Sequence, residues 1–359
     1  MGPLQVVPDI RKASTPPPWL YTSPSVAELQ AERVFARSWQ VLDHRPPSTG
    51  HVLPLSLLAG CLDEPLLWTS FGGGSGSLLS NICTHRGHPV CAEEGMRAGL
   101  RCPYHGRRFR LDGACESAPG FAPEDGFPGA QDHLPRLPLE QLGPLHFTST
   151  APTSAFEEWM APVLERVAWM PLDQFRLDGA RSRDFCVAAN WALYCENYLE
   201  GLHIPFVHRG LNAAIDLEQY DYHLFSSGTL QTAYAREGTP SFELPPGHPD
   251  LGRRVAAWYF WLFPNLMLNF YPWGLSLNLV QPEGPTRTRV AFRAWVWKEE
   301  LMGHGAGADL ETVEQEDEAV VEAVQASLST RLYRGGRYSP SHEAGTHHFH
   351  RLLAAAMGD

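Results

Sequence analysis

Cys83-Thr84-His85-Arg86-Gly87 and Cys102-Pro103-Tyr104-His105-Gly106, with sixteen residues between His85 and Cys102, decide the fold of the first half of this chain. Each half offers one thiolate and one imidazole. Two Cys and two His in mixed pairs suit a [2Fe–2S] centre with both thiolates on one iron and both imidazoles on the other. Gly87 and Gly106 follow each ligand pair, where the lack of a side chain lets backbone amides approach the cluster sulfurs. The competing reading is a structural zinc site. Zinc fingers pair like with like, whereas each half here mixes Cys with His, and the gap in Cys83-x-His85 is tight.

Outward from this stretch, the chain from about Trp39 to Ser149 is a series of short apolar runs broken by turns such as Gly72-Gly73-Gly74, Leu111-Asp112-Gly113 and Pro144. That pattern predicts a small all-β domain over residues 39–150. The glycine-rich Phe71–Ser77 reads as a hairpin turn, because no Gly-Lys-Ser/Thr follows it to make a phosphate cradle. Before it, Pro16, Pro17 and Pro18 lead into Ser25-Val26-Ala27-Glu28, a capping-box signal for a helix running to about Trp39. Residues 1–38 are expected to pack with the second half of the chain. Met1–Trp19 has no apolar core and reads as neither a signal peptide nor a membrane anchor.

Composition narrows the function. A formal charge of −12 argues against a nucleic-acid partner, since phosphate binding needs clustered Lys and Arg. Seven cysteines, an odd number, make a disulfide framework improbable. Cys61, Cys91, Cys115, Cys186 and Cys195 are read as small core residues. The apolar stretch Val255–Val280 is long enough to span a membrane, but Pro264, Asn265, Asn269, Pro272 and Gly274 interrupt it. Two or three buried strands are the better reading. The expectation is a cytoplasmic protein without a membrane partner.

After about Pro152 the pattern becomes α+β. Helical segments Phe156–Trp169, Trp191–Leu202 and Asp309–Leu332 flank β-rich runs Trp258–Val280 and Thr286–Trp297. This predicts a larger domain over residues 151–359 with helices on a mostly antiparallel sheet.

The second constellation lies in Asn197-Tyr198-Leu199-Glu200-Gly201-Leu202-His203-Ile204-Pro205-Phe206-Val207-His208. In a helix ending near His203, Glu200 and His203 share a face. Pro205 cannot continue that helix, and a bend there turns His208 back toward His203. Two imidazoles so presented form two-thirds of a facial triad that leaves positions open on Fe(II). The third ligand is expected in the stripe Leu310, Val313, Asp317, Val320, Val321, Val324 and Leu328, whose helical spacing turns it inward. Asp317 stands there in an apolar place, and a buried carboxylate requires a cation or a hydrogen-bonding partner. The competing reading leaves Asp317 facing solvent among Glu314, Glu316 and Glu318. The histidines near the end (His342, His347, His348 and His350) are assigned no metal.

The two Cys-His motifs, the Asn197-x2-Glu200-x2-His203-x4-His208 segment and Glu316-Asp317 with Glu322 and Gln325 together resemble the Rieske non-haem iron oxygenase α-subunits. The resemblance spans nearly the whole chain. It implies a small all-β Rieske domain beside a helix-grip, START-like catalytic domain. Cys83, His85, Cys102 and His105 are then the cluster ligands, and His203, His208 and Asp317 hold the mononuclear iron, with Asn197 near it. Glu200, able to accept N–H bonds from two imidazoles, is implied to bridge His203 to a cluster histidine of a neighbouring subunit in a head-to-tail homotrimer. Many ring-hydroxylating members have Asp there, and Glu resembles the choline and carnitine monooxygenase branch. The implied activity is that of a mono- or dioxygenase that uses O2 to hydroxylate or oxidatively dealkylate an aromatic or quaternary ammonium compound. NAD(P)H and flavin enter only through a separate reductase or ferredoxin, because the chain has no dinucleotide fingerprint. The alternatives are a Rieske electron carrier without oxygenase chemistry and a zinc-stabilised binding module.

Two departures accompany the resemblance. His88 and Tyr104 stand where respiratory Rieske proteins carry an extra disulfide, and Arg107-Arg108-Phe109 replaces the usual Trp after His-Gly. This replacement is expected to alter the docking surface for an electron donor, but not the ligands. In Trp261–Tyr271, one strand parity collects Trp261, Phe263, Asn265, Met267, Asn269 and Tyr271. Of these, Phe263, Asn269 and Tyr271 are the expected substrate-lining residues, suited to cation–π or stacking contact.

Overall fold

The computed structural model describes residues 2–72, 75–208, 221–307 and 310–358. The chain divides into two compact units, Trp39–Ala151 and Met1–Ser38 together with Pro152–Asp359.

The smaller unit is built of short antiparallel strands. A five-stranded sheet runs in the order Gly95–Met96, His51–Leu57, Glu64–Phe71, Ser75–Ser80, Arg136–Leu137. Pairing of Phe71 with Ser75 makes the expected hairpin, although Gly73 and Gly74 lie outside the described residues. A three-stranded sheet of Leu100–Arg101, Arg108–Phe109 and Cys115–Ser117 turns at Leu111-Asp112-Gly113. Gly113 is required there: its φ is +88°, and a Cβ would lie 2.8 Å from Leu79 Cδ2. A third sheet joins Gln40–Val41, Leu145–Thr148 and Glu140–Leu142. The core gathers Val52, Leu67, Leu79, Phe109 and Leu134 around Cys83, Cys91, Cys102 and Cys115.

The larger unit is a seven-stranded antiparallel sheet ordered Arg176–Val187, Thr288–Val296, Gly274–Pro282, Leu266–Tyr271, Val255–Leu262, Gly228–Tyr234, Asp221–Phe225. The apolar run Val255–Val280 is thus three strands. They are buried on both faces, which explains why the sequence there does not alternate. Gly274 makes one reversal possible, because its φ is +150° and a Cβ would lie 2.2 Å from Trp295 O. Among the described residues, no helix is long and apolar enough to cross a membrane.

Several element limits differ from the sequence reading. The capping box at Ser25 and Glu28 does not form: Ser23 takes the N-cap place of helix Pro24–Gln30, and its Oγ lies 3.0 Å from Ser25 Oγ. Pro24 at the first turn, with its φ preset, determines that start. The helix passes into a π turn over Ala31–Phe35 rather than reaching Trp39, and buried Phe35 sets its ring against Trp191 at 4.9 Å. The helix expected from Phe156 to Trp169 stops at Val167. That expected from Asp309 to Leu332 covers Leu310–Ser327, and Asp309 itself lies outside the described residues. Within it, Val324 is 42% exposed, while Glu314, Val321 and Gln325 are buried, as is Leu328 just after its end. The inward face is therefore rotated toward its polar members, for which other elements supply partners. Cys186 is exposed rather than core, because its strand is the sheet's edge. A helix over Ala344–Gly358 went unassigned in the sequence reading, yet it buries Thr346, His347, Phe349, His350, Leu353 and Met357 at helical spacing.

Candidate metal centres

The two Cys-His segments adopt the same backbone. Cys83 N donates to His88 O (2.9 Å) and Gly87 N to Cys83 O (3.0 Å). Cys102 N donates to Arg107 O (2.9 Å) and Gly106 N to Cys102 O (3.0 Å). Gly87 and Gly106 have φ of +71° and +75°, so each closes its loop in the left-handed region. Their own amides bond to the carbonyls of Cys83 and Cys102.

Cys83 and Cys102 are buried, His85 is half-buried and His105 exposed. The imidazoles meet edge to face with centroids 4.8 Å apart. Burial raises the Cys83 pKa, against a hydrogen bond from the His85 backbone, and contact with the Cys102 thiol raises it further. Burial and the charges of His105 and Arg107 lower that of His85, which favours the neutral, ligating imidazole. Two thiols in contact beneath two outer imidazoles fit a [2Fe–2S] cluster with thiolates inward and imidazoles toward the surface. His88 and Tyr104 face one another at 5.9 Å, and Tyr104 lies over His105 at 3.7 Å.

Arg107 is not on a docking surface. It is 3% exposed, and Nη1 donates to Thr84 Oγ1 (3.0 Å) and pairs with Asp132 Oδ1 (3.1 Å). Arg108 is the exposed one.

In the larger unit, Asn190 Oδ1 accepts from Ala192 N (3.0 Å) and caps helix Trp191–Tyr198. This helix ends before Glu200, so Glu200 and His203 do not share a helical face. Their contact comes from a compact loop in which His203 Nδ1 donates to Glu200 Oε1 (2.6 Å), while Glu200 Oε2 accepts from the amides of Leu202 and His203. Pro205 likewise opens the short helix Ile204–Val207 rather than closing a longer one, and His208 N then bonds to Ile204 O (2.9 Å).

His208 is 1% exposed. His208 Nε2 lies 2.9 Å and His203 Nε2 3.5 Å from Asp317 Oδ1. The ligand atoms of His203, His208 and Asp317 all lie within 4.8 Å of one another. Neighbouring ligands about 2.1 Å from an ion sit about 3 Å apart at right angles, so this set fits a facial triad for iron. Each imidazole turns its Nδ1 to a carboxylate, His203 to Glu200 and His208 to Glu316 Oε2 (2.7 Å), which leaves both Nε2 atoms facing Asp317. Burial works against a charged His208, but the hydrogen bond and charge of Asp317, then of Glu316, outweigh it and raise its pKa.

A cavity of about 120 Å³ opens beside the triad. Tyr194, Tyr198, Tyr259, Tyr271 and Phe292 give it aromatic walls, and Asn197, Gln231, Asn269 and Asn278 give it amides. Glu314, one turn before Asp317, lines it too and accepts from Tyr194 Oη, and burial holds its carboxyl well above the usual range. Phe263 does not line it. It sits in the turn after Leu262, where strand parity breaks, and its ring packs 6.0 Å from Trp261. The sequence reading missed Tyr194, Tyr198, Tyr259, Gln231, Asn278, Phe292, Glu314 and Glu316 as site residues. Glu314, three residues before Asp317, and Glu316, its neighbour, carried a local signal.

The late histidines are tied to protein atoms. His347 Nε2 bonds to Val7 O and His348 Nε2 to Phe225 O, each at 2.8 Å, and His350 Nδ1 to Tyr338 Oη at 2.6 Å.

A model of the ring hydroxylating alpha subunit (catalytic domain) matches residues 164–359, and one of the Rieske [2Fe-2S] domain matches residues 61–138. Chloroplastic choline monooxygenase of Arabidopsis thaliana is 29% identical over 367 residues, covering 96% of this chain and 83% of the plant enzyme. The carnitine monooxygenase oxygenase subunit of Escherichia coli (strain K12) is 27% identical over 370 residues, covering 97% of this chain and 95% of its own. Among solved structures, the quaternary ammonium Rieske monooxygenase CntA with a bound inhibitor gives a TM-score of 0.75 at 22% identity, covering 99% of both chains. Naphthalene 1,2-dioxygenase from Rhodococcus sp. bound to indole gives 0.68 at 19% identity, covering 96% of this chain and 94% of that one. These two likenesses establish the fold.

Proposed function

This chain belongs to the ring-hydroxylating α-subunits of the Rieske non-haem iron oxygenases, and from that premise we propose that its own substrate is a small quaternary ammonium compound. It is an oxidoreductase that carries a Rieske cluster and a mononuclear iron and takes its electrons from a separate donor. The observation that carries the substrate reading is the wall of four tyrosines and Phe292 on the cavity holding His203, His208 and Asp317. Aromatic faces attract a trimethylammonium group by cation–π interaction, worth up to about 2 kcal/mol per ring when desolvated. The plant and bacterial relatives act on choline and carnitine, which supports the same class.

In this reading Cys83, Cys102, His85 and His105 hold the cluster, and His203, His208 and Asp317 hold the iron. When bound, the cluster supplies single electrons and the iron supplies the place where O2 is reduced beside the substrate. The protein's part is orientation. Glu200 and Glu316 accept hydrogen bonds from Nδ1–H of His203 and His208, so each neutral imidazole presents a lone pair at Nε2. Tyr198 Oη, bonded to Asn269 Oδ1 (2.6 Å), fixes one amide of the cavity wall. Asn197 lines the same wall. The aromatic rings exclude water from the reacting carbon. Glu200 keeps acceptor capacity for a second imidazole N–H, the bridging role its motif implies between subunits of a homotrimer.

The test is substrate-dependent O2 uptake by the reconstituted enzyme with a reductase, comparing choline, carnitine and glycine betaine with naphthalene and indole. Oxidation of a trimethylammonium compound supports the proposal. Turnover of the aromatic hydrocarbons alone overturns it.

A further inference from the structure

The cluster cradle contains a charge that holding the ligands does not require. Arg107 follows the second ligand pair, yet its guanidinium is buried and reaches the first. Nη1 donates to Thr84 Oγ1, the side chain between Cys83 and His85, and the same nitrogen pairs with Asp132 Oδ1. Thr84 Oγ1 in turn donates to Asp132 O (2.8 Å), and Asp132 Oδ2 accepts from Gly129 N (2.8 Å). Three loops therefore converge on one guanidinium. Phe121 and Phe127 cover it, with Cζ 5.4 and 5.1 Å from their ring centroids, and Phe121 also meets His85 edge to face at 5.9 Å. Arg107 Nε is buried without a hydrogen-bond acceptor, so this cation is only partly compensated.

We propose that Arg107 sets the reduction potential of the cluster, raising it through a buried positive charge whose reach Asp132 limits. Reduction adds one electron and so makes the cluster more negative. A fixed cation in a water-poor shell stabilises that reduced state more than the oxidised one. Arg is always charged, and its Nη1 serves both Thr84 and Asp132, which no apolar residue can do. Arg107 is thus a positioning residue for the loops and an electrostatic one for electron uptake. The proposal is independent of which substrate the cavity takes.

The two partners have opposite expected effects, which separates charge from packing. In potentiometric titrations of the cluster-loaded protein followed by EPR, R107M lowers the potential. At a fixed solution potential the reduced-to-oxidised ratio falls threefold to tenfold, a shift of about 28 to 59 mV for one electron. D132N, which frees the cation, shifts the ratio upward. R107K keeps the charge and stays within threefold of the native ratio. Less than a threefold change in both R107M and D132N overturns the proposal, and so does a shift of the two in one direction. If R107M fails to take up the cluster, D132N decides, and an unchanged or lowered potential there overturns the proposal.

Discussion

Glu316 Oε2 lies 2.7 Å from His208 Nδ1, on the far side of the ring from Asp317, so one turn of helix grips the same imidazole at both nitrogens. Consecutive residues on a helix point about a quarter-turn apart, and His208 fits between the two carboxylates. Glu316→Ala leaves the Nδ1 proton without a partner and the ring free to turn. The expected result is a 10- to 100-fold weaker hold on the mononuclear iron, with the cluster unaffected. Iron retained after graded chelation, measured beside the EPR signal of the cluster, checks it.

Removing a proposed iron ligand is a harsher case. His203→Ala is expected to purify with two irons rather than three per chain and an intact Rieske spectrum, since the proposed cluster ligands belong to the other compact unit. A variant that still carries three irons refutes the assignment of His203.

Tyr271 lines the cavity and Phe263 does not, and the two separate substrate contact from packing. Tyr271→Ala is expected to raise KM for a trimethylammonium substrate about tenfold, the loss of one desolvated cation–π contact. Phe263→Ala should leave KM unchanged and lower only the melting temperature. Equal KM effects in both variants contradict the geometry.

Acid should destabilise the larger unit through its late histidines. Burial, opposed by hydrogen bonds to Val7 and Phe225, lowers the pKa values of His347 and His348. The folded state then binds fewer protons than the unfolded chain. The stabilisation is full above the ordinary imidazole value of about 6.5 and is lost as pH falls through the lowered folded values. Melting temperature should therefore drop from about pH 7 to about pH 5. His348→Gln, which keeps a donor for Phe225 O, should flatten that slope. An unchanged slope would falsify the assignment.

What the sequence disclosed and what it hid follow from the range of the interactions. Cys83, His85, Cys102 and His105 are legible because each pair lies within one turn, and His203 and His208 because five residues separate them. Asp317 is legible as a polar break in an apolar stripe. Tyr259 and Phe292 come from separate strands and Tyr194 from the helix Trp191–Tyr198, and only the sheet register together with the packing of that helix brings them to one cavity. The end of helix Trp191–Tyr198 was misjudged because Glu200 competes for the amides of Leu202 and His203, a choice that helix propensity does not register. Arg107 was misplaced because a charged residue is ordinarily exposed, and its partners Thr84 and Asp132 lie 23 and 25 residues away.

The division of the chain has a consequence for synthesis. Trp39–Ala151 is one unbroken span, whereas the larger unit takes residues from both sides of it. All four cluster ligands have therefore left the ribosome while His203 is still unmade, and Asp317 follows His208 by another 109 residues. A nascent chain therefore carries the whole span Trp39–Ala151 before any of His203, His208 and Asp317 exists.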